Sequence, residues 1–76
     1  MNKPRRKELQ EIHDLLSEAR ERLEAVKDEE EEYMDNIPEN LQGSERYERA
    51  EEVVGGLDEA LCDLDTVLDA VEEAWQ

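Results

Sequence analysis

The sequence contains few of the residues that build most catalytic and metal sites. Its 76 residues include one cysteine, one histidine, two prolines, three glycines and no phenylalanine. The single thiol, Cys62, cannot form an internal disulfide, which is typical of a protein of a reducing cytoplasm. No apolar run exceeds three residues, so the sequence predicts neither a transmembrane segment nor a signal peptide. These absences favour a small cytoplasmic protein.

The few groups capable of chemistry lack the neighbours that chemistry requires. Gln10 lies three residues before His13, where a di-iron Glu-x-x-His site needs a glutamate. A calcium loop counted from Asp35 needs glycine at its sixth position, which is Asn40. No nucleophile has an adjacent base, and no glycine-rich phosphate loop precedes a helix. We predict a protein that is not an enzyme, with no catalytic residue, cofactor or metal.

Basic residues are also scarce. Nine lysines and arginines face 24 acids, for a formal net charge of −15. Residues 1–27 carry a net +1, residues 28–52 carry −9 and residues 53–76 carry −7. Such a chain repels nucleic acid and anionic membranes, so direct binding to either is not expected. A charged partner is expected to be basic.

The apolar residues that remain follow two heptad arrays, which predicts helices rather than disorder. Position a falls at residues 9, 16, 23 and 30 in the first array and at 47, 54, 61 and 68 in the second. Glu30 is the one interruption. The seam positions are otherwise Leu9, Ile12, Leu16, Ala19, Leu23, Val26, Tyr33 and Ile37, then Tyr47, Ala50, Val54, Leu57, Leu61, Leu64, Leu68, Val71 and Trp75.

Local signals set the boundaries of these helices. Pro4 suits a first helical turn, Pro38 disfavours helix at the residue before it, and Ser44 is a good N-cap. We predict one domain over residues 1–76: a helix over about 4–35, a loop over about 36–43 with a short helical turn, and a helix over about 44–75. A short loop between long helices requires an antiparallel hairpin. The predicted fold is an all-α, two-helix coiled-coil hairpin.

A specific register follows from folding the chain about the loop. It places seam residues a opposite d, for example Val26 beside Val54 and Leu16 beside Leu64, with Tyr33 and Tyr47 as the last layer. Trp75 is predicted to plug the open end, and Ile37 and Leu41 to cover the loop end. The e positions then pair bases or histidine with acids: Lys27 with Glu51, Arg20 with Asp58, His13 with Asp65, and Arg6 with Glu72. Such pairs select orientation more than they stabilise.

The second helix is apolar over a wider arc than one partner helix covers. We predict that two hairpins associate as a homodimeric four-helix bundle; alternatively, the extra residues only widen the seam of a monomer. Gly55 and Gly56 suggest close approach of another helix or a local bend. The predicted self-association residues, called the apolar strip, are Leu15, Val53, Gly56, Ala60, Val67, Ala70 and Ala74.

The acids gather near the loop in this register, where residues 28–32 would lie beside Glu48, Glu51 and Glu52. A solvated, aggregation-resistant surface explains much of this charge. A sharper hypothesis is that ordered carboxylates imitate DNA phosphates and inhibit a basic host protein. A third is an assembly module that recruits a helical partner. The candidate partner-binding residues, called the acidic tip, are Asp28, Glu29, Glu31, Glu32, Asp35, Glu39, Glu48 and Glu52.

The stretch DEEEEYMDNIPENLQGSERYERAEE, residues 28–52, resembles a family of small uncharacterised proteins of bacterial phages and prophages. The specific part is the loop NIPENLQGSERYE between two acidic helices. The resemblance implies a phage or mobile-element origin and a compact helical protein in a bacterial host cell. It supplies no known activity, although small acidic phage proteins include inhibitors of host defence enzymes.

Overall fold

The computed structural model describes residues 2–76 and shows an antiparallel helical hairpin. Helix α1 spans Lys3–Asp35, a short 3₁₀ helix spans Glu39–Leu41, and helix α2 spans Glu45–Trp75. The two long helices pack against each other, and the described residues contain no strand. The predicted all-α hairpin is confirmed. Neither helix contains a stretch long and apolar enough to cross a membrane within this part of the chain.

Side chains at the helix starts explain these bounds. The Asn2 side chain accepts a hydrogen bond of 2.9 Å from the Arg5 N–H, with Pro4 in the first turn of α1. Ser44 Oγ accepts one of 3.3 Å from the Tyr47 N–H, as expected of an N-cap. Between the helices, Pro38 accepts a hydrogen bond of 2.8 Å from the Leu41 N–H. Pro4, Pro38 and Ser44 therefore lie at the helix ends that the sequence predicts for them.

The core of the hairpin is thin. Only Ile37, Ala50, Val54 and Leu61 are buried among the described residues. The prediction that Ile37 and Leu41 cover the loop end is half right. Ile37 is buried, but Leu41 is 50% exposed. Most other seam residues of α2, including Trp75, are half-buried. Two helices leave most side chains at least partly exposed to solvent, as expected for so small a fold.

The predicted register of the flanking pairs is wrong by one heptad. Arg20 Nε lies 2.6 Å from Asp65 Oδ1, where Asp58 is the predicted partner. Lys27 Nζ lies 2.9 Å from Asp58 Oδ1, where Glu51 is the predicted partner. Both contacts have moved seven residues toward the C-terminus of α2, so α2 is displaced along α1 by about 10 Å at 1.5 Å per residue.

Contacts at the open end agree with this displacement. The His13 and Trp75 rings meet edge to face with centroids 5.0 Å apart, so the predicted pair of His13 with Asp65 is also wrong. Arg6 makes no ion pair with Glu72 within residues 2–76. Trp75 is the last residue of α2 and lies beside His13, whereas α1 begins at Lys3. The first turns of α1 therefore extend past the end of α2.

Helix α1 also presents a different side to α2 from the one predicted. Its e positions, His13, Arg20 and Lys27, are half-buried, whereas its d positions, Ile12, Ala19, Val26 and Tyr33, are exposed. Because a and e are neighbours on a helix surface, α1 packs through its a and e positions. The cross-helix ion pairs close this side of the hairpin and leave the d side open.

A charge exchange tests the register. Lys27→Glu should lower the thermal midpoint, because it places like charges at the Lys27–Asp58 contact. Adding Asp58→Lys should restore the midpoint, whereas adding Glu51→Lys should not. Circular dichroism melts of the three variants provide the comparison. Better rescue by Glu51→Lys would contradict this register and support the one predicted from the sequence.

Candidate functional site

The acidic tip lies in the loop-end part of the hairpin, because its members are close to the loop on both helices or within it. Its members are exposed except Glu31, which is half-buried. Because Lys27 bonds to Asp58 and the helices are antiparallel, residues 28–32 lie beside residues 53–57 of α2. Glu48, Glu51 and Glu52, which the sequence places beside residues 28–32, therefore lie beyond Glu32 toward the loop, with Glu52 nearest to Glu32.

Most carboxylates have no cationic partner. Five of the 24 acids form ion pairs among residues 2–76: Glu24, Glu31, Glu52, Asp58 and Asp65. All acids other than Glu30 and Glu31 are exposed. The surface thus offers a long array of hydrated, uncompensated negative charge. Such an array attracts basic ligands, more strongly at low salt.

The two interhelical cations are held by their acidic neighbours. Hydrogen bonding to Asp65 and then to Glu24 raises the pKa of Arg20, against a smaller opposing effect of burial. Hydrogen bonding to Asp58 raises the pKa of Lys27, burial opposes it, and Glu31 adds to the increase. A raised pKa means that the stabilising contribution is complete below the unfolded-state pKa and is lost only as pH rises through the folded-state value. Both pairs therefore persist at neutral pH.

A second surface, the open face, is apolar. It comprises the d and g positions of α1 and the g and c positions of α2, which lie on the side of the hairpin away from the interhelical ion pairs. All five exposed large apolar side chains of the two helices belong to it: Ile12 at 36% exposure, Leu15 at 66%, Val26 at 52%, Tyr33 at 44% and Val67 at 44%. A groove of about 340 Å³ runs along it at Ala19, Arg22, Leu23 and Val26.

The predicted apolar strip covers only part of the open face. Leu15, Gly56, Val67, Ala70 and Ala74 are exposed, whereas Val53 and Ala60 are half-buried. The strip omits the d positions of α1, from Ile12 to Tyr33. Their heptad spacing assigned them to the hairpin seam, and no other signal in the sequence separates an open d column from a covered one.

The paired glycines have free space around them. A Cβ added to Gly55 or Gly56 would meet nothing within 4 Å, so the predicted close approach of another helix does not occur within the hairpin. Neither residue has a positive φ angle. Their conformations are therefore accessible to any residue.

Gly55→Ala should consequently stabilise the protein. Alanine favours a helix interior by about 1 kcal/mol over glycine, and a gain of this size corresponds to about 4–8 °C in thermal midpoint for a small domain. Glu59→Ala, at another exposed position of α2, is the control and should change the midpoint little. A lower midpoint for Gly55→Ala would mean that unseen contacts occupy this space.

The loop end forms a further apolar groove of about 320 Å³. It is lined by Tyr33, Asn36, Ile37, Pro38, Leu41, Ser44 and Arg46. Tyr33 also belongs to the open face, so the groove is continuous with that surface. Its lining contains neither a carboxylate nor a histidine.

No cluster of three or more histidine, cysteine or acidic side chains suited to a metal ion occurs within residues 2–76. Cys62 is exposed and free. Comparisons with protein-family models, curated proteins and solved structures found no match. The candidate sites are therefore the acidic array and the open face.

Proposed function

We propose that this chain is a non-catalytic binding protein whose acidic surface binds a basic, nucleic-acid-binding protein and inhibits it by occupying its DNA site. The observation that carries the proposal is the array of exposed carboxylates without cationic partners, along a rod of 60 × 15 × 13 Å. Complementary potentials steer partners together and favour one class of partner over another. The acidic tip is the part we assign to the contact.

The density of charge along the rod decides how far it resembles DNA. A net −15 over 60 Å gives one negative charge per 4 Å, whereas duplex DNA carries one per about 1.7 Å. Two hairpins side by side would carry one per about 2 Å over the same length. Mimicry of duplex DNA thus requires a dimer, which the proposal includes as a four-helix bundle.

The proposed setting is the cytoplasm of a bacterial cell infected by a phage or carrying a prophage. The resemblance of the loop NIPENLQGSERYE to small phage proteins supports this setting. An inhibitor of a host defence or nucleic-acid-binding protein is useful to a phage and needs neither cofactor nor catalytic residue. The proposal therefore accounts for the acidity and the lack of chemical groups together.

Capture from a bacterial lysate tests the function. The immobilised protein should retain basic DNA-binding proteins at low salt, and added duplex DNA should displace them. High salt should also release them, because exposed charges are screened beyond about 10 Å at 0.1 M salt. Capture of proteins that neither salt nor DNA displaces would contradict an acidic inhibitor.

An assembly module is the second candidate, supported by the exposure of Leu15 and Val67. In this role an apolar surface would recruit another helical protein. Its partner should survive high salt and be lost on Val53→Glu or Val67→Glu. Loss of the partner in high salt with no effect of these substitutions would favour the acidic surface.

A further inference from the structure

We propose that the open face is the contact surface of a homodimer, in which two hairpins related by a two-fold axis cover each other's face. This inference deepens the function proposed above, because it identifies the surface that places two acidic rods side by side. It assigns the central role to the d positions of α1, which the predicted apolar strip omits.

The open face exposes several large apolar side chains to solvent. Leu15, Val26 and Tyr33 are 66%, 52% and 44% exposed, and the column from Ile12 to Tyr33 runs for about 30 Å along α1. Val67 on α2 is 44% exposed on the same side. A row of exposed apolar side chains of this length on a small protein is typical of an interaction site.

The charge of the open face indicates that its partner is a second copy of this chain. The d and g positions of α1 and the g and c positions of α2 hold three acids against four arginines, a net +1: Glu8, Glu29 and Asp63, then Arg5, Arg22, Arg46 and Arg49. The rest of the chain carries −16. Two copies can therefore meet through this face alone without strong repulsion, and oppositely charged groups are present on both copies. A basic partner would instead be drawn to the other faces.

The exposed area is also of the size that a dimer removes. The chain exposes 5875 Å², whereas a compact monomeric protein of 8.9 kDa exposes about 4,800 Å². The excess of about 1,000 Å² is similar to the roughly 800 Å² that each partner buries in a standard interface. A two-fold axis suits such a surface, because the same patch then meets itself.

The mass in solution tests the proposal. Size-exclusion chromatography with light scattering, at micromolar concentration and moderate salt, should give twice the chain mass of 8.9 kDa. The mass of one chain, or of more than two, would overturn the proposal. This measurement on the unaltered protein depends on no variant.

A pair of matched variants locates the surface. Val26→Glu with Val67→Glu should give single chains that remain helical by circular dichroism, since both side chains are already exposed in the hairpin. Gln10→Glu with Thr66→Glu adds the same charge at exposed positions off the open face and should leave the dimer intact. A dimer in the first variant, or single chains in both, would contradict the open face as the interface.

Failure of the proposed function is distinguishable from failure of the dimer. If the protein has the mass of two chains but captures no basic protein, the acidic inhibitor is wrong and the interface stands. If it has the mass of one chain and still binds a basic protein, the interface is wrong and the binding role stands.

Discussion

Leu61→Ala is expected to remove a large part of the stability of the hairpin. Leu61 is 6% exposed and is one of only four buried side chains among residues 2–76. Truncating a buried leucine costs about 2–5 kcal/mol. A chain of 76 residues has a total free energy of unfolding of about 4–11 kcal/mol at typical values per residue. Urea titration followed by circular dichroism measures the difference.

Leu41→Ala is the matched control for that experiment. It removes the same atoms from a side chain that is 50% exposed in the loop, so the loss should be less than half of that at Leu61. Equal losses at the two positions would contradict the burial pattern described above. They would mean that Leu41 covers the loop end, as the sequence suggests.

Replacing four tip carboxylates by amides is expected to weaken binding to a basic ligand by roughly tenfold or more at low salt, because exposed charge pairs contribute additively in small increments. The substitutions are Asp28→Asn, Glu32→Gln, Asp35→Asn and Glu39→Gln, all at exposed positions outside the open face. Fluorescence anisotropy with a labelled lysine homopolymer provides the affinity. The slope of its logarithm against the logarithm of salt concentration should also decrease.

Four amides elsewhere provide the control for location. Glu11→Gln, Asp14→Asn, Glu18→Gln and Glu21→Gln change the net charge by the same amount in the part of α1 that contains most of the bases. They should weaken binding less than the tip substitutions do. Equal effects of the two sets would mean that the carboxylates act only through total charge, as a solubilising surface would.

The helices and their connection were predictable because short-range chemistry determines them. Pro38 and Ser44 set the ends that face the loop, and the observed α1 and α2 each begin within one residue of the predicted position. Asn2, which caps α1, was not singled out, although asparagine is a common N-cap. An isolated residue at a chain start gives a weaker signal than a cap that follows a loop.

The register was not predictable from the same pattern. A shift of seven residues keeps a positions opposite d positions and still pairs Arg20 and Lys27 with acids, because α2 carries Glu51, Asp58, Asp65 and Glu72 at successive e positions. Heptads repeat, so they specify the face of a helix but not which heptads meet. The register is set by contacts at the two ends of the hairpin. These are the contact of His13 with Trp75 and the burial of Ile37.

Of the two candidate surfaces, one was predictable from the sequence and the other was not. The acidic array follows from composition, since most carboxylates of a small helical protein must be exposed. The open face does not, because it depends on how far α1 rotates about its own axis against α2. The exposure of Ile12 and Val26 beside half-buried Arg20 and Lys27 is a tertiary outcome that no heptad pattern specifies.

Small-angle X-ray scattering tests most directly the central claim that two acidic hairpins lie side by side. The predicted result is a particle with the mass of two chains and a longest dimension close to the 60 Å of one hairpin, so that the charge per unit length doubles. The mass of one chain with this dimension, or the mass of two chains in a particle about twice as long, would contradict the account.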